Sequence, residues 1–267
     1  MKKLEIIGLV LALFLTASVM ADEVRDERID SYLNILSTGN VKQKSTMLNR
    51  LQWSGLSDPR LFDVIEKSLL DQYLSDNLSR HQAKVLVYMV RSLGYSGNKK
   101  YRSTISTISK GTSLPKSSIS TLSDNRTTDS FSRKLNRHAA KALVDLHKFS
   151  AWNALIKTSD LVVVGKNAEI TTYMKMLDTD DIFIQRLAAR AMFHESIRDP
   201  DLLALAANKL KFLYMQNGLD RESQDTAAWL CKAIGQSGQS KYKNLLMEIA
   251  GKTPYKKIRK YAQKFSQ

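Results

Sequence analysis

The sequence predicts an all-α fold, an α/α superhelix (solenoid) built from about six degenerate helical hairpins. Three observations lead to this prediction. Ala-rich segments recur along the chain with larger apolar residues at helical spacing. Similar turns, rich in Gly, Ser, Asp and Pro, separate these segments from a second set of amphipathic helices. Most of the intervals between Ala-rich segments are 35–40 residues, which is the length of two short helices and two turns.

The first 21 residues resemble a cleaved signal peptide rather than part of the fold. Lys2 and Lys3 precede an apolar run over residues 6–15, and Ala21 ends a stretch that a signal peptidase can cut. This run is shorter than the roughly 20 residues that span a bilayer, although an uncleaved anchor is the alternative. We therefore expect export to the periplasm, or secretion if there is no outer membrane, and a single mature domain over residues 22–267.

Six Ala-rich segments can be aligned with one another. They begin at residues 41, 78, 135, 184, 223 and 258, with intervals of 37, 57, 49, 39 and 35 residues. The clearest three are "LNRHAAKALV", "IQRLAARAMF" and "SQDTAAWLCKAIG". A lone hairpin cannot bury its apolar face, but stacked hairpins share a continuous core in which small alanines allow close helix approach. A compact bundle with coincidental Ala-rich helices is the alternative.

The turns repeat in register with the helices. "SGLSDPRLFDVI", "GYSGNKKYRSTI", "SIRDPDLLAL" and "GQSGQSKYKNLL" each place turn-forming residues before a second amphipathic helix. Shorter turns, such as "STGN", "DTDD" and "KTP", precede the Ala-rich helices. Because both kinds of turn recur, a repeat architecture is favoured over a bundle.

The two long intervals predict irregular segments. In residues 103–130, 15 of 28 residues are Ser or Thr, which favours an exposed loop insertion near residues 110–130. This loop is either a functional flap or a tolerated insertion. In the later interval, residues 161–164 fit a short strand or a buried loop, and residues 168–177 fit a helix.

The segments "DDIFIQRLAARAMF" and "TPYKKIRKYAQKF" resemble the HEAT and HEAT-like repeat family, whose general pattern is D-x-x-x-V-R-x-x-A-A-x-A-L-G. The resemblance covers roughly residues 30 to 267, with degenerate copies. It implies a right-handed superhelix with the Ala-rich helices on the concave face. It implies no single function, because this fold supports many.

The sequence contains no recognisable catalytic motif. It lacks a Gly-rich phosphate loop, a G-x-S-x-G elbow, H-E-x-x-H and C-x-x-C. Of its four histidines, His81 and His138 occupy the same position of adjacent repeats, whereas His147 and His194 lie near the ends of their helices. Equivalent residues on neighbouring repeats lie about 8–10 Å apart, too far to share a metal ion. Cys231 lies in "AAWLCKAIG", where a small buried apolar residue is expected. We therefore expect no catalytic residue, no metal and no cofactor.

Positions three and seven of the Ala-rich helices form a ladder of mostly basic side chains one turn apart. The ladder residues are Arg80, Lys84, Arg137, Lys141, Arg186, Arg190, Trp229, Lys260 and Lys264. Such a stripe can hold acidic protein segments or anionic polymers through many weak contacts. A solvated helix face made of good helix formers is the alternative.

The net charge of +15 favours an anionic partner. The signal segment carries +1 of this charge, which leaves +14 on the mature chain. The predicted function is a non-enzymatic scaffold or adaptor of the bacterial cell envelope that binds an acidic protein along a basic concave face. The alternatives are an anionic envelope surface or polymer, such as lipid head groups or polysaccharide, and an enzyme with a HEAT-like fold, such as a lyase. Nucleic acid is not expected, and the protein is expected to be a monomer.

The C-terminal helix is basic and amphipathic. Ile258, Tyr261, Ala262 and Phe265 form one apolar face in a segment that contains six Lys or Arg residues and no acid from residue 251 onward. A helix of this kind can rest on an anionic membrane surface. Its register matches a last repeat, so a polar cap of the solenoid is the favoured interpretation.

Overall fold

The computed structural model describes residues 26–73, 79–111, 125–158 and 166–267. Within these ranges all regular structure is helical, which confirms the predicted all-α class. The predicted signal peptide, most of the predicted loop and the segment over residues 161–164 lie outside the described ranges. The helices group into two compact units, one up to residue 160 and one from residue 161.

The described part of the first unit contains six α-helices. They are α1 (26–38), α2 (Val41–Arg50), α3 (Pro59–Tyr73), α4 (Arg80–Tyr95), α5 (Arg102–Lys110) and α6 (Asn125–Thr158), with a 3₁₀ turn at Lys99–Tyr101. Helix α4 packs between α2 and α6, while α3 covers α4 and α5 covers α6. The Ala-rich helices therefore lie side by side in one layer, and the other helices of the hairpins pack against them.

The second unit repeats this arrangement. Its helices are α7 (Ala168–Asp178), α8 (Ile182–His194), α9 (Pro200–Tyr214), α10 (Arg221–Gly235), α11 (Ser240–Lys252) and α12 (Lys256–Phe265). Helix α10 packs between α8 and α12, whereas α7 packs on α8 and α9, and α11 packs on α12. The helix expected over residues 168–177 is confirmed as α7.

The six predicted Ala-rich segments fall on α2, α4, α6, α8, α10 and α12, so their helical structure is confirmed. Their small side chains lie at helix contacts. Ala139, Ala188, Ala227 and Ala262 are all fully buried. Since an alanine keeps two helix axes close together, these positions set the spacing within each layer.

Aspartates cap the N-termini of α8 and α10, two of the three helices of the second unit that carry the site described below. Asp181 accepts hydrogen bonds from the Phe183 and Ile184 amides at the start of α8. Asp220 accepts one from the Ser223 amide at the start of α10. Each side chain satisfies amide groups that have no partner within the helix.

Helices α4 and α10 end in the same way, with "GYSG" and "GQSG". The second glycine of each motif is left-handed, with φ of 64° at Gly97 and 72° at Gly238. The hydroxyls of Ser96 and Ser237 each donate to the carbonyl three residues earlier, at 2.6 Å in both cases. This shared end defines which residues of the two helices correspond, and it shifts the alignment made from Leu78 by one helical turn.

The first glycine of each motif is a point of close helix contact. A Cβ atom at Gly94 would lie 2.6 Å from the Ala142 carbonyl oxygen of α6. A Cβ atom at Gly235 would lie 2.5 Å from the Phe265 Cβ of α12. Ala142 and Phe265 occupy the same position of their Ala-rich segments, eight residues in. The α4–α6 pair and the α10–α12 pair therefore pack in the same register.

The predicted loop near residues 110–130 is shorter than expected at its C-terminal end. Helix α6 begins at Asn125, and residues 112–124 lie outside the described ranges.

Cys231 is fully buried, as expected, and burial raises the pKa of its thiol to about 12. None of the described helices combines the length and the apolar character that a bilayer crossing requires.

Candidate anion-binding site

The structure divides the predicted basic ladder between the two units. Lys84 and Arg137 are exposed on the first unit, and Lys141 pairs with Asp145 on its own helix at 3.2 Å. The Arg80 side chain lies outside the described part of the structure. The remaining ladder residues, which are Arg186, Arg190, Trp229, Lys260 and Lys264, belong to α8, α10 and α12 of the second unit.

In the second unit, the N-terminal halves of the three Ala-rich helices hold paired charges. An Nη atom of Arg186 on α8 lies 2.9 Å from a carboxylate oxygen of Glu222 on α10. Asp225 on α10 contacts Arg186 at 3.9 Å and forms an ion pair with Lys257 of α12. These cations are already neutralised by carboxylates of the chain.

The C-terminal halves of the same helices bring aromatic rings together. Trp229 of α10 lies 5.8 Å from Phe193 and 5.5 Å from His194, both on α8, between ring centroids. Phe193 in turn meets Phe265 of α12 edge to face at 5.9 Å. Contacts of this geometry are favourable beyond their buried area.

Three cations lie among these rings, and Lys232 of α10 is the central one. Its Nζ is 3.5 Å from the centroid of Trp229, 4.3 Å from that of Tyr261 and 5.7 Å from that of Phe193. The Arg190 guanidinium lies 5.3 Å from the Trp229 centroid. Ring faces attract cations, so the rings hold the ammonium in place. We call this group the Trp229 cluster; its members are Arg190, Phe193, His194, Trp229, Lys232, Tyr261, Lys264 and Phe265.

The charged side chains of the Trp229 cluster are all positive. Burial lowers the pKa of Lys232, and the positive charges of Arg190 and Lys264 lower it further. Among the described residues, no carboxylate forms a salt bridge with Lys232 or Lys264. Within the described ranges, the favourable contacts of this partly buried ammonium are with ring faces, and two like charges lie beside it, which makes the cluster receptive to an anion.

In the described ranges, no three His, Cys, Asp or Glu side chains come together in a way that could hold a metal ion. His138 of α6 is partly buried, and burial together with Arg91 and neighbouring cations lowers its pKa. His194 is exposed beside Trp229.

Three members of the Trp229 cluster, Arg190, Trp229 and Lys264, belong to the ladder predicted from the sequence, whereas Lys232 does not. The predicted ladder comprises only positions three and seven of each helix, and Lys232 follows Trp229 by three residues, one turn along the same face. The three-residue spacing between Trp229 and Lys232 could therefore have identified Lys232 from the sequence. The aromatic partners were visible as apolar residues, but their convergence depends on how α8, α10 and α12 pack.

Comparisons with known proteins give little beyond the fold. No protein-family model matches the chain, and no curated protein matches it. A solved structure of human deoxyhypusine hydroxylase in complex with glycerol is similar, with 11% identity and a TM-score of 0.35 over 89% of this chain and 82% of that one.

At a TM-score of 0.35, this similarity assigns no activity to the present chain. The predicted function, an adaptor that holds an acidic protein along one continuous basic face, is nevertheless wrong, because the residues of the predicted ladder are divided between the two units. Ion pairs within the chain also reduce the positive charge that the predicted basic face can offer to an acidic partner. Two of its members, Lys141 and Arg186, are already paired with carboxylates of the chain.

Proposed function

We propose that the second unit binds a small anionic ligand at the Trp229 cluster. The observation that carries this proposal is the position of Lys232. Its ammonium lies 3.5 Å from the Trp229 centroid, beside two further cations and without a carboxylate partner among the described residues. The proposal concerns a local site on α8, α10 and α12 rather than a continuous basic surface.

The physical basis of the proposal is the unfavourable free energy of repulsion between the cations of the unoccupied site. Like charges that are held together in a partly apolar environment repel one another, because little solvent is available to screen them. An anion that enters the site relieves this repulsion and accepts charge-assisted hydrogen bonds. Such bonds contribute about 1.5–3 kcal/mol each. The fixed rings keep the cations positioned, which lowers the entropic cost of binding.

Membership of the HEAT-like repeat family forms part of the proposal. It is supported by the six Ala-rich helices, by their buried alanines and by the repeated pairing of α4 with α6 and of α10 with α12. Export, a periplasmic location, a protein or membrane partner and the absence of catalysis stay predictions.

The test is calorimetric titration of the protein with three anions, citrate, sulfate and tripolyphosphate, at constant ionic strength. We expect at least one of them to bind with one-to-one stoichiometry. A Lys232→Glu variant is expected to lose this binding by more than about 30-fold, because it replaces the central cation with a negative charge.

The matched control is Lys211→Glu, which makes the same charge change on an exposed residue of α9, outside the Trp229 cluster. It should reduce affinity by less than about threefold, through long-range electrostatics alone. The proposal is wrong if none of the three anions binds, or if both variants weaken binding equally.

A further inference from the structure

Three large apolar side chains of the second unit are exposed to solvent. Phe212 and Met215 of α9 are 65% and 72% exposed, and Met247 of α11 is 54% exposed. The other exposed large apolar side chains in the described residues, such as Val144 of α6, belong to the first unit. Single exposed apolar residues are ordinary on a protein surface, whereas a group of them indicates a contact site.

Phe212, Met215 and Met247 form such a group. The first two are three residues apart on α9, which places them one turn apart on the same face of the helix. Between them, the hydroxyl of Tyr214 donates a hydrogen bond to the Glu248 carboxylate of α11 at 3.2 Å. The segment of α11 that carries Met247 is therefore adjacent to the segment of α9 that carries the other two residues.

Lysines accompany the two methionines. Lys211 precedes Met215 by four residues, and Lys243 precedes Met247 by four residues, so each lysine lies one turn from a methionine on the same helix face. Neither lysine forms a salt bridge among the described residues, whereas Glu248 is paired with a lysine of its own helix at 2.8 Å. Positive charge is therefore in surplus beside the apolar group. We call the combined region the α9/α11 surface; its members are Lys211, Phe212, Met215, Lys243 and Met247.

We propose that the α9/α11 surface binds an anionic lipid bilayer. Phe212, Met215 and Met247 enter the boundary between the head groups and the acyl chains, and Lys211 and Lys243 contact lipid phosphates. The proposal is independent of the Trp229 cluster, which lies on α8, α10 and α12. It also differs from the predicted basic ladder, none of whose residues lies on α9 or α11.

The form and charge of the α9/α11 surface favour a bilayer over a protein partner. Its apolar side chains project from the helices, so a folded partner would need a matching pocket for each of them. A bilayer needs no such pocket, because lipids rearrange around an inserted side chain. Anionic head groups complement the two lysines, whose long apolar stems allow the ammonium groups to reach the phosphates.

Both features of the surface are needed for attachment. Insertion of a few apolar side chains gives only weak and reversible binding to a bilayer. Each lysine close to an anionic membrane surface strengthens binding by a factor of about five. Because the two contributions multiply, removal of either one should reduce binding measurably.

The test is sedimentation of the full chain with vesicles made of equal parts of phosphatidylglycerol and phosphatidylcholine, at constant ionic strength. We expect the apolar double variant, Phe212→Ser/Met215→Ser, to lower the partition coefficient at least about tenfold, because it removes two inserted side chains. The lysine double variant, Lys211→Gln/Lys243→Gln, should lower it at least about fivefold.

The matched control is Val64→Ser/Val144→Ser, which replaces two exposed apolar residues on α3 and α6. It should lower the partition coefficient less than about twofold, because neither residue lies on the α9/α11 surface. Residues 1–21 are common to all of these proteins, so differences between them report on the substituted positions. Helical circular dichroism and the urea midpoint check that each variant is folded.

The proposal is overturned if the wild-type chain does not sediment with the vesicles, or if the apolar double variant binds as tightly as wild type. Full binding by the lysine double variant would overturn the assignment of an anionic bilayer. If the wild type instead self-associates in size-exclusion chromatography, without binding vesicles, and the apolar double variant does not, the surface is a contact between copies of the chain and the proposal is wrong.

Discussion

Replacing Arg91 with methionine is expected to lower the free energy of unfolding by about 3 kcal/mol. The Asp145 side chain is 2% exposed, and Arg91 is one of its two cationic partners. Methionine preserves much of the side-chain volume but leaves the buried carboxylate with Lys141 alone, whose own side chain is 55% exposed. Urea denaturation followed by circular dichroism measures the change.

Lys232→Met is the matched control, because it removes the corresponding cation of the second unit. No described carboxylate depends on Lys232, and its neighbours Arg190 and Lys264 repel it. We therefore expect a change of less than about 0.5 kcal/mol, in either direction. Equal destabilisation by the two substitutions would contradict the assignment of a stabilising ion pair to Arg91 and of no ion pair within the described residues to Lys232.

Gly94→Ala is expected to destabilise the protein by about 3 kcal/mol. The added Cβ would lie 2.6 Å from the carbonyl oxygen of Ala142 and 2.9 Å from its Cα. These are backbone atoms of α6, so the clash can be relieved only by moving one helix away from the other. The expected result is a lower urea midpoint with a nearly unchanged slope.

Gly251→Ala provides the control for helix propensity. Gly251 also lies inside a helix, α11, but a Cβ there would have no neighbour within 4 Å. Alanine is a better helix former than glycine, so this variant should gain up to about 1 kcal/mol. If Gly94→Ala were neutral or stabilising, the close approach of α4 and α6 would be refuted.

The repeat could be predicted from the sequence because its signals are local. Apolar periodicity, the small residues at positions five and six, and the two kinds of turn all lie within single hairpins. The exact register could not be predicted in the same way. Alignment on the Ala-rich pattern places Leu78 opposite Ser223, whereas the shared ends of α4 and α10 shift this pairing by one turn. A run of several small residues can be aligned with another such run in more than one register, so the Ala-rich pattern alone does not determine the register.

Only part of the candidate site could be predicted from the sequence. Which charged side chains pair with one another depends on how the helices pack in three dimensions. Arg186 and Arg190 look alike in the sequence. The structure places Arg186 against Glu222 and Arg190 beside the Trp229 ring, which gives them different roles. Lys232 was missed because its importance arises from neighbours on two other helices. That no described carboxylate pairs with it is visible only when α8, α10 and α12 are packed together.

The most direct measurement is quenching of tryptophan fluorescence by iodide and by caesium. Trp53 and Trp152 are 2% and 4% exposed, whereas Trp229 is partly exposed, so Trp229 should dominate the quenching by ions. Lys232 and Lys264, which form no salt bridge with a carboxylate among the described residues, attract iodide to the Trp229 cluster and repel caesium. We expect an iodide quenching constant at least about threefold larger than that of caesium, because a local potential of a few kT concentrates anions.

The Lys232→Met/Lys264→Met double variant should bring this ratio close to one. Lys211→Met/Lys241→Met, with the same loss of charge on exposed residues of α9 and α11, should leave it high. Equal quenching of the wild-type protein by the two ions, or an equal fall of the ratio in both double variants, would contradict the claim that the Trp229 cluster is an anion-binding site.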